Sequence, residues 1–239
     1  MNTVKFNKQN VKMVAHRGLS GLERENTCAA FVAAGNRSYV GIETDIWRTA
    51  DGSFVTLHDG NLARVGGEQI HAETVTLKTL QGVVLYDMDG SKGREDLRGP
   101  TLENYISICK KYQKLCVLEL KSDFTPEETA RFIEIIRGLG YLDSTVFISF
   151  NYENLRRVRA ILPEQRVQFL TGDASDEMIA RLVADRMDID VQHGALTEER
   201  VAAMHRAGLE INCWTVDDPA RAEQLAAWGV DYITSNILE

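Results

Sequence analysis

The feature that most constrains the fold is a strict alternation of β-rich and helix-periodic segments over the second half of the chain. "STVFISF" is followed by "NYENLRRVRAIL", where Leu155, Val158 and Leu162 recur at helical spacing and Pro163 ends the run. "RVQFL", "DIDVQ", "LEINCWTV" and "VDYITSN" read as strands, separated by the helical segments "SDEMIARLVADRM", "TEERVAAMHRAG" and "DPARAEQLAAWG". The last helix has Asp218 as its N-cap, Pro219 at its first position and Gly229 past its end. Upstream, the strand "KLCVLELK" precedes "TPEETARFIEIIRGLG", where Thr125 and Glu128 form a capping box with Pro126 in the first turn. At the front, "VKMVAHRG" reads as a strand, "ENTCAAFVAAG" as a helix ending at Gly35, and "VGIETDIW" and "SFVTLHD" as strands. Such alternation implies a mostly parallel sheet.

One strand breaks the rule. A parallel neighbour needs a crossover of roughly a dozen residues or more, and only about half that many separate "VGIETDIW" from "SFVTLHD". The two should form an antiparallel hairpin, with Asp51-Gly52 as its turn. Setting that return arm aside leaves eight strands, near residues 14, 43, 118, 147, 168, 190, 213 and 233. Eight strand-helix units in ~250 residues predict an α/β TIM barrel, with a doubly wound open sheet as the runner-up. We read residues 1–239 as one barrel domain, with 61–99 as a small, glycine-rich, weakly patterned insertion and the barrel resuming at "TLENYISICKKY".

The hairpin carries unexpected charge. With Asp51 and Gly52 as the two central turn residues, Ala50 pairs with Ser53 and Asp45 lies opposite His58, to about one residue of register; Glu43 shares the face of Asp45. Glu119 and Lys121 repeat the i, i+2 spacing near the end of "VLELK", and His16 and Arg17 end the first strand, where Gly18 lets the backbone turn. TIM-barrel chemistry sits at that end of the strands. One rim thus collects His16, Arg17, Glu43, Asp45, His58, Glu119 and Lys121. Three carboxylates without cysteine suit one hard divalent cation, Mg²⁺ or Ca²⁺, with zinc on the histidines as the alternative. Two histidines can serve as general acid and general base. Arg17 and Lys121 would hold an anion, and the set suits phosphoryl chemistry. His193, after "DIDVQ", is a further candidate for this rim, whereas His71 and His205 read as surface or helix residues.

Charge and composition exclude other classes. The formal charge is −8 with no basic run, which argues against nucleic acid and against stable adhesion to an anionic membrane. No apolar run approaches the ~18 residues of a membrane helix, and "MNTVKFNKQNVKM" lacks the apolar core of a signal peptide. A cytoplasmic location is the expectation, a trimmed leader the alternative. Cys28, Cys109, Cys116 and Cys213 form no Cys-x-x-Cys pair and read as buried free thiols. "DMDGSKG" is not an EF-hand loop: counted from Asp87, the sixth position is Lys92 and the twelfth Arg98.

"AHRG", "ENT", "GIETDIW", "DGSFVTLHD", "TLENYI", "VLELK", "ISF" and "NCWTV", in that order over residues 14 to about 235, resemble the glycerophosphodiester phosphodiesterase family. The resemblance implies a TIM barrel with a small insertion and metal-dependent hydrolysis of a small-molecule glycerophosphodiester to glycerol 3-phosphate and an alcohol. Carried over by motif, His16 and His58 would be the acid-base pair. Glu43, Asp45 and Glu119 would ligate the metal, and Arg17 and Lys121 would contact the phosphate. Trp214 and Phe150 would line the substrate pocket, with Glu25 in support. The absence of a protein nucleophile beside the histidines suggests attack by the substrate's own hydroxyl through a cyclic phosphate. Arg24 stands where relatives often have proline, and Asn151 where an acid is usual. The competing functions are a phospholipase-D-like action on lysophospholipids or sphingomyelin, which needs an apolar groove such as Val83, Val84, Leu85 and Tyr86 could line, and a non-catalytic phosphodiester-binding barrel.

Overall fold

A computed structural model describes residues 2–239. Its strands are β1 (Lys12–Ala15), β2 (Gly41–Arg48), β3 (Phe54–Thr56), β4 (Leu115–Leu120), β5 (Thr145–Ser149), β6 (Val167–Thr171), β7 (Asp188–Gln192), β8 (Ile211–Trp214) and β9 (Tyr232–Ser235). They lie in the order β1-β9-β8-β7-β6-β5-β4-β2, and β1 also pairs with β2, so eight parallel strands close on themselves. Closure excludes the open doubly wound sheet: this is a TIM barrel. β3 lies outside it, antiparallel to β2, as the short connection demands.

The helices are α1 (Cys28–Gly35), α2 (Ala63–Gly66), α3 (Leu77–Gln81), α4 (Leu102–Tyr112), α5 (Pro126–Gly138), α6 (Tyr152–Ile161), α7 (Asp176–Ala184), α8 (Glu198–Arg206) and α9 (Pro219–Trp228). Local signals account for most ends. Thr125 and Glu128 form the capping box of α5, Asp218 caps α9 through the N–H groups of Ala220 and Arg221, and Gly229 closes α9 at φ +90°. One boundary moves. The helix expected from Glu25 begins only at Cys28, because Asn26 is left-handed at φ +54° and Thr27 takes the cap by accepting from the Ala30 N–H. Glu25 and Asn26 are thereby kept in a loop at the rim.

Two cores flank the barrel wall. Phe31, Ile42, Tyr105, Phe132, Phe147 and Leu225 belong to the core between strands and helices, whereas Val14, Val117, Val146, Ile148 and Leu170 fill the barrel interior. The segment between β3 and α4 has more order than its sequence suggests. Leu57, Leu62, Val65, Ala72, Leu80, Leu85 and Leu97 are buried together with Val55 of β3, and Trp47 packs against them. Its helical pieces span three to five residues, too short to show a helical period. Leu85 is buried in this cluster and Val83 packs on it, so they serve the segment's own core rather than an acyl groove. All four cysteines are free, with Cys109, Cys116 and Cys213 buried. Among the described residues no helix is long and apolar enough to cross a membrane.

Candidate active site

A TIM-barrel interior is built from layers of four side chains contributed by alternate strands. Strand register here puts Glu43, Ile148, Asp190 and Thr234, from β2, β5, β7 and β9, in one layer. His16, Glu119, Leu170 and Trp214 form the next layer towards the strand C-termini. Both layers line a pocket of about 100 Å³, completed by Arg17, His58, Phe150 and Thr215.

The hairpin that delivers His58 differs from expectation by one residue. β2 and β3 pair Ile46 with Thr56, Trp47 with Val55 and Arg48 with Phe54, and the Thr49 N–H donates to the Ser53 carbonyl at 2.9 Å. The loop therefore holds three residues, Ala50-Asp51-Gly52, with Gly52 left-handed at φ +75°, a favoured three-residue hairpin. The Asp51 carboxylate accepts from Thr49 Oγ1 and from the Leu77 N–H, which ties this wider loop to α3. Asp45 consequently faces Leu57, whose N–H donates to the Asp45 carbonyl at 3.0 Å, not His58. His58 still reaches the pocket, because it follows the end of β3, where strand alternation no longer dictates its side; Trp47 Nε1 donates to its carbonyl at 3.3 Å.

Glu43, Asp45 and Glu119 are 3%, 1% and 7% exposed, and one carboxylate oxygen from each lies within 4.8 Å of the others. Such crowding has electrostatic consequences. Burial, then repulsion from Asp45 and Glu119, drives the Glu43 carboxyl well above the usual range. Burial and Asp45 push Glu119 up to about 8. Burial would raise Asp45 too, but Lys121, His58 and Arg17 outweigh it and hold it low. Lys121 Nζ is 3.0 Å from Glu119 Oε1 and 3.6 Å from Asp45 Oδ1, so it faces the carboxylates. Asp45 Oδ1 is buried with no hydrogen-bond partner. An all-oxygen, acid-rich cluster with an unsatisfied buried oxygen fits a hard divalent cation.

The two histidines have unlike partners. His16 Nδ1 meets Asn236 Oδ1 at 2.7 Å, and Asn236 Nδ2 in turn donates to Asp217 Oδ2 at 2.6 Å. Burial and the Arg17 guanidinium lower His16 to about 4. His58 Nδ1 meets a carboxylate, Asp59 Oδ1, at 2.8 Å. Asp59 accepts from Arg64 Nε at 2.7 Å; Arg64 also binds both Glu25 oxygens, and Glu25 accepts from Arg17 at 2.9 Å. Glu25 thus reaches the site indirectly, through Arg64 and Asp59 to His58 and through Arg17, whose backbone N–H donates to Glu43 Oε2 at 2.7 Å. Asn26 donates to Asp45 Oδ2 at 2.8 Å and accepts from Thr44 Oγ1 at 2.6 Å. Trp214 and Phe150 meet edge to face at 5.6 Å on the pocket wall. His193 is not among the pocket walls; Arg221 binds its ring and carbonyl instead.

Asn26, Asp59, Arg64, Asn236 and Asp217 carry no role in the sequence reading. Asn26 and Asp59 sit beside singled-out residues in "ENT" and "LHD", but no spacing rule marks them. The Glu25 cluster makes a stability prediction. Burial would raise Glu25, yet Arg64 and Arg17 hold it down to about 2. A depressed acid stabilises the fold above its ordinary pKa of 4.5 and loses that contribution as pH falls through about 2, on the order of 3 kcal/mol. Glu25→Gln should therefore lower the Tm at pH 7 and flatten its decline below pH 4.5; parallel Tm–pH curves for the two proteins would refute this.

The model of the glycerophosphoryl diester phosphodiesterase family matches residues 16–238. A glycerophosphodiester phosphodiesterase of Caldanaerobacter subterraneus subsp. tengcongensis is 27% identical over 229 residues, 94% of this chain and 93% of that one. A crystallised phosphodiesterase of Oleispira antarctica, in complex with the product sn-glycerol-3-phosphate, is 26% identical; it superposes at a TM-score of 0.87 over 98% of this chain and 96% of its own. A crystallised glycerophosphodiester phosphodiesterase of Parabacteroides distasonis gives 27% identity and a TM-score of 0.81, covering 95% and 93%. With the family model matching residues 16–238, nearly the whole chain, the chain belongs to the glycerophosphoryl diester phosphodiesterase family.

Proposed function

We propose that this chain is a single barrel domain, with 61–99 inserted over its rim, that hydrolyses glycerophosphodiesters to sn-glycerol 3-phosphate and an alcohol. The observation that carries the reading is the convergence on one small pocket of two histidines with unlike partners and of Glu43 and Glu119, whose buried carboxylates cluster with that of Asp45. Glu43, Asp45 and Glu119 would hold one Mg²⁺ or Ca²⁺, which when bound supplies charge stabilisation for the phosphate oxygens and for a developing alkoxide. Arg17 and Phe150 border the same pocket. Arg17 supplies positive charge for the phosphate, and Phe150 and Trp214 an apolar wall.

Asn236 Oδ1 is an acceptor, so His16 carries its proton on Nδ1 and keeps Nε2 free to take one. His16 is therefore the base in the first step. It deprotonates the glycerol hydroxyl next to the phosphoester, and that oxygen attacks phosphorus. The carboxylate of Asp59 accepts from His58 Nδ1 and aims the other ring nitrogen into the pocket, so His58 is the acid that protonates the departing alcohol as its P–O bond breaks. Water, deprotonated by His58, then opens the cyclic phosphate, and His16 returns its proton to the glycerol oxygen. The hydroxyl side chains of the pocket wall are Thr215 and Thr234; Thr234 Oγ1 is committed to Asn212 Oδ1 and, among the described residues, neither is hydrogen-bonded to a histidine, which favours the substrate's own hydroxyl as nucleophile.

The test of the activity is a turnover panel of glycerophosphocholine, glycerophosphoethanolamine, glycerophosphoinositol and a lysolipid, each with Mg²⁺, Ca²⁺ or chelator, scored by release of the head-group alcohol. Preferred turnover of the lysolipid would favour the lipid-directed reading instead. The cyclic route has its own test. A phosphodiester of propane-1,3-diol lacks the attacking hydroxyl and should not turn over; turnover at a rate near that of the glycerol diester eliminates the intramolecular step.

A further inference from the structure

Asp190 is the one pocket-lining acid outside the carboxylate trio. It projects from the middle of β7, in the layer of Glu43 but on the opposite side of the barrel, with Ile148 and Thr234 between them. Only 2% of it is exposed. Asn212 Nδ2 donates to its Oδ2 at 3.2 Å, which fixes the carboxyl plane, and Trp214 Nε1 donates to its backbone carbonyl at 3.2 Å, which holds the indole above it. Its Oδ1 has no hydrogen-bond partner.

A buried polar atom left unsatisfied in a pocket wall asks for a partner from the ligand. Burial alone pushes the Asp190 carboxyl well above the usual range, which disfavours its charge and suits a hydroxyl partner better than a cation. The phosphate cannot be that partner. It belongs across the pocket, with Arg17 and the trio, whereas Asp190 faces the end of the ligand remote from them. We propose that Asp190 is a specificity-determining residue: it reads a glycerol hydroxyl that takes no part in the chemistry, the terminal one, and thereby selects glycerol esters over deoxy analogues. This rests on the glycerophosphodiester reading above.

The test compares two phosphodiesters with the same head group, one of glycerol and one of propane-1,2-diol. The second keeps the attacking hydroxyl and lacks only the terminal one. Wild-type protein should favour the glycerol diester by at least about 10-fold in kcat/KM, because a site built to bond a hydroxyl is left unpaired by the analogue. Asp190→Leu should erase the preference by slowing the glycerol diester while sparing the propanediol one, and Asp190→Asn should restore part of it. Equal losses on both substrates, or no preference in wild type, would overturn the proposal. Calorimetric binding of sn-glycerol 3-phosphate against propane-1,2-diol 1-phosphate reads the same contact in the wild type without turnover. Discrimination in binding with no hydrolysis of either diester would sink the proposed activity but not the role of Asp190. Equal affinities would sink the role of Asp190 alone.

Discussion

Replacing His16 with alanine is expected to lower kcat on glycerophosphocholine by about 10²–10⁴-fold, the range for losing a positioned acid or base. His58→Ala should do the same, with both variants retaining the far-UV and near-UV circular dichroism of the parent. The loss should fall mainly on kcat, since neither imidazole is assigned to bind the phosphate. The leaving group separates the two roles. p-Nitrophenolate departs without a proton, so on glycerophospho-p-nitrophenol His58→Ala should recover most of the first step, read as p-nitrophenolate release with the cyclic phosphate as product, while His16→Ala should not. The hydrogen-bond partners motivate this asymmetry: a neutral amide oxygen of Asn236 behind His16, a carboxylate of Asp59 behind His58. Rescue of His16→Ala by the activated ester, with none for His58→Ala, would reverse the assignment. Full activity of His16→Ala would remove it from the mechanism.

Glu43→Gln is expected to abolish metal-linked stabilisation together with activity. A cation bound only by the folded state, at 100 times its Kd, stabilises by about 2.7 kcal/mol, a rise of roughly 5–10 °C in Tm for a chain of this size. Wild-type protein should show that rise with Mg²⁺ or Ca²⁺ and lose it with chelator. Without metal, the variant should unfold close to wild type. Burial and the neighbouring Asp45 and Glu119 hold Glu43 well above the ordinary carboxylate range, which disfavours its charge when no metal is bound, and glutamine is nearly isosteric. The same direction sets the pH dependence. The cation needs both carboxylates charged, and with Glu43 raised and Glu119 at about 8 it competes with protons for them, so metal affinity should fall as pH drops. Metal-dependent stabilisation that survives in Glu43→Gln, or that strengthens in acid, would contradict the assignment of the trio.

Elements with their own local signals were legible in the chain. All eight barrel strands lie where alternation placed them, and the caps at Thr125, Asp218 and Gly229 act as their residue types predict. These signals are complete within about ten residues, because period, cap and breaker are properties of neighbours in sequence. The short link between β2 and β3 made the hairpin unavoidable, but its loop length was not. A two-residue and a three-residue loop differ by one position, and the choice rests on Asp51 reaching the Leu77 N–H, a contact between segments 26 positions apart.

Sequence by itself determined the α/β alternation of eight strands, the strand ends on which His16, Glu43, Asp45, Glu119 and Lys121 stand, and the hairpin arm that carries His58; closure of the sheet came from the structure. Only the tertiary structure decided which histidine rests on an amide and which on a carboxylate, that Arg64 joins Asp59 to Glu25, and that Asn26 steadies Asp45. It alone put Asp190 across the pocket from Glu43 with an oxygen to spare. The reason is geometric. Strand period says which face a side chain takes, whereas its partners across a barrel follow from the stagger of eight strands and the burial that closure imposes. Both are properties of the closed sheet rather than of any one strand.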